Sequence, residues 1–180
     1  MMTSPTFIHL RLHSEYSIVD GIVRIDDAVA KAVSDRMPAL ALTDLSNLFG
    51  LVKFYQEARD KGIKPIIGCD VWITNEDDRD KPARILLLCQ SYSGYLLLCR
   101  LLSRAYRENQ RQGCAEIKKS WFSENGNGTT GLIALSGANL GDIGVMLMQN
   151  NLFQAETLAR EWGDLFPGRF YIEVQRIGHT

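Results

Sequence analysis

The sequence predicts an α/β fold built on a largely parallel sheet. Two observations carry this. Short apolar or alternating runs take turns along the chain with segments of helical period, the pattern of successive βα units. Several of the runs also end in, or contain, an acid or a histidine, as strands do where an α/β site is built at their C-terminal ends. Right-handed crossovers wind such units into an open sheet or a barrel. With 180 residues the chain is long enough for one domain with a real core, whereas a closed βα barrel takes roughly 250 residues.

The elements follow in order. Phe7, His9, Arg11 and His13 alternate with Ile8, Leu10 and Leu12, the period of a strand with one apolar face. Asp20-Gly21 then reads as a turn. In residues 24–36, Ile25, Ala28, Val29, Ala32 and Val33 share one helical face. Asp26 and Asp27 suit the N-terminal end of that helix, and Pro38 marks its stop. Residues 39–43 are a continuous apolar run, a buried strand tipped by Asp44. Asn47 is expected to cap a second helix in which Leu48, Leu51, Val52 and Tyr55 share a face, with Gly62 as its stop.

Residues 64–74 form the third strand, with Asp70 in its course, and residues 75–82 a charged loop. Ala83–Cys89 is the fourth strand. A helix over 93–110 turns Tyr95, Leu98, Cys99 and Leu102 inward. Residues 113–131 read mostly as loop, with a turn cluster at Asn125-Gly126-Asn127-Gly128. Leu132–Leu135 is the fifth strand, ending at Ser136-Gly137. Residues 142–149 suit a short helix, and Asn151 caps another that runs to Phe166, where Pro167-Gly168 breaks it. Residues 169–175 are the sixth strand. No helix follows to cover it, so the chain reads as cut short rather than as a sheet left with a bare edge.

Composition narrows the class. Hydrophobic residues make up 46% and charged residues 23%, ordinary for a soluble globular protein. The net charge of −1 provides no global basic field to draw the chain onto nucleic acid. The start, Met-Met-Thr-Ser-Pro-Thr, lacks a secretory signal pattern. No apolar stretch approaches the roughly 20 residues of a membrane span. Cys69, Cys89, Cys99 and Cys114 form no C-x-x-C pair, which argues against a zinc knuckle and for reduced thiols in a cytoplasmic protein.

The chemistry-bearing residues sit at strand ends. His13, Asp20, Asp44 and Asp70 come from three segments, and converging His and carboxylates can hold divalent metals that activate water for phosphoester cleavage. Each also has a plainer reading: a hydrogen-bonded core histidine for His13, a turn for Asp20, a helix cap for Asp44. Only three histidines are present, His9, His13 and His179. Arg11 occupies the position between two of them, and a guanidinium has no lone pair to give a metal. Two further features stand apart. Arg100, Arg104, Arg107 and Arg111 lie on one helical face, fit for phosphates, an acidic partner or solvent. Gly137, Gly141 and Gly144 follow a strand but match neither Gly-x-Gly-x-x-Gly nor a P-loop.

Taken together these stretches resemble a known family. Residues 9–21 (His-Leu-Arg-Leu-His-Ser-Glu-Tyr-Ser-Ile-Val-Asp-Gly) and 39–50 (Ala-Leu-Ala-Leu-Thr-Asp-Leu-Ser-Asn-Leu-Phe-Gly) are similar to motifs of the polymerase and histidinol phosphatase (PHP) domain. So are residues 64–70 (Lys-Pro-Ile-Ile-Gly-Cys-Asp) and 133–137 (Ile-Ala-Leu-Ser-Gly). The form resembled is the one that opens the alpha subunits of bacterial replicative DNA polymerases, from about Phe7 to the last residue. The resemblance implies a distorted seven-stranded βα barrel, here truncated after about six strands. Residues 1–180 would then be an N-terminal PHP domain incomplete at its C-terminal end.

The resemblance also implies a site. Family members with an intact one carry a His-x-His pair on the first strand, an Asp after it and a His after the second-strand Asp. They add a Glu on the third strand, a His on the fourth and a Cys after the fifth. In this sequence the first His is Arg11, while His13, Asp20 and Asp44 remain. The His after Asp44 is Leu45, the third-strand acid is Asp70, the fourth-strand His is Arg84 and the Cys is Ala138. The last ligands would lie beyond Thr180. The expectation is a vestigial, metal-free site in which Arg11 and Arg84 offset Asp20, Asp44 and Asp70; any metal bound would use His13, Asp20 and Asp70. The parent polymerase would need Mg2+, and zinc or manganese would be present only in an active PHP site. The segment itself would be a scaffold that docks the proofreading exonuclease subunit and the remaining polymerase domains, reaching DNA only through the whole polymerase. The alternatives are an active metal-dependent phosphoesterase or 3′-5′ exonuclease, and a small α/β ligand-binding domain.

Overall fold

A computed structural model describes residues 7–124 and 128–175. Most of the Asn125–Gly128 cluster and His179 therefore lie outside the described residues. The chain divides into two compact units, Met1–Cys69 and Asp70–Thr180, with the boundary inside one strand.

In the first unit, α1 (Ile25–Ser34) and α2 (Leu51–Asp60) accompany β1 (Ala39–Leu42) and the first half of β2 (Lys64–Ile73). β1 and β2 pair in parallel, from Ala39 with Lys64 to Leu42 with Ile67. The core gathers Ile25, Val29 and Ala32 of α1, Leu40 and Leu42 of β1, and Phe54 and Ala58 of α2. Burial of the larger of these side chains is worth about 1.5–3 kcal/mol each, which holds α1 and β1 where their apolar runs predict. The inner face of α2 is a correction: Phe54 and Ala58 are buried, while Val52 and Tyr55 are exposed. The helix begins after Gly50 without a side-chain cap. Asn47 instead accepts a hydrogen bond from Phe49 N and donates to the carbonyls of Tyr16 and Leu45, so it ties a loop together rather than capping.

The expected first strand is also corrected. Residues 7–13 are not a regular strand. They lie against β1 through Ala41 N to His9 O and Thr43 N to Leu12 O. Two residues on β1 thus span three on the segment, so the ladder is broken and the alternation of faces is lost. The Leu12 amide turns to the Thr43 hydroxyl instead.

In the second unit the rest of β2 joins β3 (Ala83–Cys89), β4 (Gln110–Arg111), β5 (Cys114–Ile117), β6 (Leu132–Leu135) and β7 (Phe170–Tyr171). The strand order is β4-β5-β2-β3-β6-β7. β2 with β5 and β6 with β7 are parallel, while β3 with β6 and β4 with β5 are antiparallel. The α/β class holds, and the sheet is mostly parallel with antiparallel pairs at β3–β6 and β4–β5. Among the described residues the unit's α-helices are α3 (Tyr92–Glu108), α4 (Asp142–Met148) and α5 (Leu152–Leu165). α3 buries Leu97, Leu98, Leu101, Leu102 and Ala105, and Asn151 caps α5 by accepting from Gln154 N. β4 falls where the end of the helix over 93–110 is expected, and β5 where loop is expected. Cys-Ala-Glu-Ile has no alternation of apolar and polar residues, because its glutamate is buried.

Candidate functional site

β1 ends in a buried turn, and the acid at its tip is held by the segment that precedes α1. Asp44 accepts from Ser14 N at 2.6 Å and from Ser14 Oγ at 3.0 Å. Burial pushes its carboxyl above the usual range, against the pull of the two Ser14 bonds and the nearby His13. His13 Nδ1 stands 3.0 Å from Asp20 Oδ2. Ser17 Oγ donates to Asp20 Oδ1 at 2.6 Å and accepts from the Leu45 amide. The first unit thus brings His13, Asp20 and Asp44 into one polar cluster, as their strand-end positions predict, and joins them through Ser14 and Ser17. Sequence reasoning missed both serines; their spacing on either side of Tyr16 is the only trace. A Cβ at Gly21 would meet the Ser14 carbonyl oxygen at 1.8 Å, so Asp20-Gly21 is set by this close approach as well as by its turn.

Arg11 lines a cleft of about 390 Å3 with His9, Asp27 and Lys31, floored by Leu12 and Leu40. At Asp20 the contacts include His13 and Ser17, and at Asp44 they include Ser14.

Asp70 is different. It is fully buried, and Arg84 Nη1 lies 3.3 Å from its Oδ2. The same guanidinium packs over the Trp72 ring, 4.4 Å from its centroid. Here a cation does stand beside the acid. After β6, Gly137 takes φ +77° and Ala138 φ +48°. A Cβ at Gly137 would strike the Arg84 carbonyl oxygen at 2.3 Å, so the turn that delivers Ala138 admits only glycine at its first position.

The expected four-arginine helical face is a correction: α3 ends at Glu108, so Arg111 lies on β4, where it binds Asp80, while Arg104 on the helix binds Glu108 and Glu124 and covers Trp121. Gly141 precedes α4 and Gly144 lies within it, and there Asp142 receives Trp162 Nε1 and Lys119, an acid where a phosphate would need donors. The four cysteines are free thiols, and burial pushes Cys89 up to about 12, the behaviour of a packing residue. Sequence reasoning also missed Glu116, Arg79 and Trp72, which meet at the edge of β5.

The donor set does not fit a divalent metal. Arg11, Leu45, Arg84 and Ala138 stand where the implied site needs lone pairs, and none supplies one. Arg84 also sets a fixed positive charge against Asp70. Among the described residues no group of three or more His, Cys, Asp or Glu side chains is placed to hold an ion. Nor is any described helix long and apolar enough to cross a membrane.

Comparison with known proteins places this arrangement. The DNA polymerase III subunit alpha of Pseudomonas fluorescens is 47% identical over 171 residues, 95% of this chain and 14% of that protein. The protein of the same name from Neisseria meningitidis is 49% identical over 177 residues, 98% of this chain and 15% of its own length. The chain thus spans about 15% of the relatives it matches. A solved structure described as a metal-dependent phosphoesterase from Bifidobacterium adolescentis superposes with a TM-score of 0.51 at 10% identity. It covers 93% of this chain and 87% of that one, a likeness of fold alone. The family model described as the PHP domain matches residues 9–177, and the chain therefore belongs to the PHP domain family.

Proposed function

We propose that this chain is the N-terminal PHP segment of a cytoplasmic replicative DNA polymerase alpha subunit, and that it serves as a metal-free scaffold. The observation that carries the reading is the buried Asp70–Arg84 pair. An ion between acids and a guanidinium at the same acid are alternatives, since both supply the counter-charge that a buried carboxylate requires. Leu45 and Ala138 support the same reading, because neither can ligate. Freed from catalysis, the fold offers surface: it docks the proofreading exonuclease subunit and the other domains of its own chain. Mg2+-dependent nucleotidyl transfer belongs to those other domains.

Elemental analysis tests the metal-free part. After dialysis against zinc or manganese, the chain is expected to retain well under one equivalent of either; a stoichiometric ion would refute the substitution. Docking is tested by pull-down of the exonuclease subunit with the parent polymerase, with and without this segment. Equal capture by both would remove the docking role. EDTA-sensitive hydrolysis of a simple phosphoester by the purified chain would favour an active phosphoesterase instead.

A further inference from the structure

The second unit holds a cleft of about 330 Å3 between the 75–82 loop and the β4–β5 turn, and the site described above does not use it. Its wall is flat and apolar. Trp72 and Pro82 line it, and the Arg84 guanidinium over the indole fixes that ring in place. Its rim carries three cations, Arg79, Lys81 and Arg111, against two acids, Asp80 and the buried Glu116. Register sets the arrangement. Trp72 pairs with Glu116 across β2 and β5, so the two side chains leave the same face side by side. Glu116 is 1% exposed, and its Oε2 lies 3.2 Å from Arg79 Nη2. The same Nη2 donates to Asn109 Oδ1 at 3.1 Å, which anchors Arg79 from a second side.

The outer cations are held less firmly. Lys81 pairs with Asp78 while 81% exposed, and Arg111 pairs with Asp80 while 43% exposed. Exposed pairs of this kind are worth little, so a dianion can take their place, and each cation keeps donors to spare. The cleft volume is at the small end of ligand sites. That suits one flat ring with one anionic group and is too short for a peptide. We propose that this cleft binds a nucleoside monophosphate unit, with the base against Trp72 and Pro82 and the phosphate among Lys81, Arg111 and Arg79. Aromatic stacking beside a cationic track is how bases are held without sequence preference, and guanidinium groups match phosphate oxygens.

Isothermal titration of the 180-residue chain tests this with dAMP, deoxyadenosine, inorganic phosphate and a 5′-phosphorylated tetranucleotide. Saturable binding of dAMP is expected, at least about tenfold tighter than that of deoxyadenosine or phosphate, because ring and charge act together. The tetranucleotide separates the sources: tighter binding than dAMP assigns the site to the end of a strand, and weaker binding to a free nucleotide. Lys81→Ala, at an exposed position, should leave the fold intact and weaken dAMP at least about fivefold. Trp72→Phe should weaken dAMP while leaving phosphate unchanged. No saturation by about 10 mM dAMP, phosphate binding as tight as dAMP, or a Lys81→Ala chain that binds dAMP normally would each overturn the assignment.

Discussion

Two buried acids in this chain meet the same problem in opposite ways. Asp44, in the first unit, is surrounded by neutral donors: the Ser14 amide and the Ser14 hydroxyl. Asp70, in the second, has a guanidinium at 3.3 Å. A hydrogen-bonded acid can take up a proton when burial becomes costly, and the raised pKa of Asp44 records that option. An acid beside a guanidinium is offset by a charge that does not titrate. One acid therefore keeps its neighbourhood adjustable, and the other fixes it. The difference also separates what can be lost cheaply from what cannot.

The sharpest way to break the comparison is at Arg84. Replacing it by Met removes the cation beside a fully buried carboxylate and the packing over Trp72. The expected loss is about 3–5 kcal/mol, read by urea denaturation at pH 7. The double change Asp70→Leu with Arg84→Met should recover most of it, since a well-packed apolar pair replaces a buried ion pair at little cost. A single variant as stable as the parent would mean that the pair carries no structural charge balance.

Ser14→Ala probes the other acid. It deletes the 3.0 Å bond to Asp44 Oδ2 and the bond that Tyr16 N makes to the hydroxyl, and leaves the 2.6 Å backbone bond in place. About 1–3 kcal/mol should be lost at pH 7. Because the lost side-chain bond favoured the charged carboxylate, the carboxyl should rise further, and the penalty should shrink toward pH 4. A penalty independent of pH would show that the hydroxyl serves packing alone.

The asparagines show how far the sequence could be read. Asn47 and Asn151 both precede an apolar helical stretch, and both satisfy the capping rule as text. Asn151 obeys it, because the residues before it are exposed and leave its side chain only the helix to serve. Asn47 is buried against Tyr16 and Leu45, whose carbonyls claim its amide. Tertiary contact decided between two identical local signals. The same holds on a larger scale. Helices and central strands such as Ala83–Cys89 were legible because burial follows their period. The 7–13 segment was not, because its pairing with β1 slips by one residue. β5 was not, because its buried Glu116 reads as surface. In the site, His13, Asp20, Asp44 and Asp70 were legible as strand-end acids and histidine, but the partners that hold the first three could be found only in space. Asn151→Ala should cost about 1 kcal/mol in a thermal melt, mostly as fraying of α5, visible as faster amide exchange at residues 152–155. Unchanged exchange there would transfer the start of that helix to packing.

Asp44→Asn should show the smallest effect and the most informative sign. The folded carboxyl binds its proton more tightly than the unfolded chain does, because its pKa is raised. Over the interval from the unfolded value, about 4, up to the folded value, the native state holds a proton that the unfolded chain has released. Stability contributed by this group therefore falls as pH rises through that interval and is level above it. Asparagine cannot titrate, yet it can accept from the Ser14 amide and donate to the Ser14 hydroxyl. The variant should thus match the parent near pH 4 and gain on it, by about 1 kcal/mol or less, by pH 7. Denaturation midpoints at both pH values read the difference. A variant that instead loses ground as pH rises would mean that the ionised carboxylate is favoured in the fold, and the contrast between an adjustable Asp44 and a fixed Asp70 would collapse.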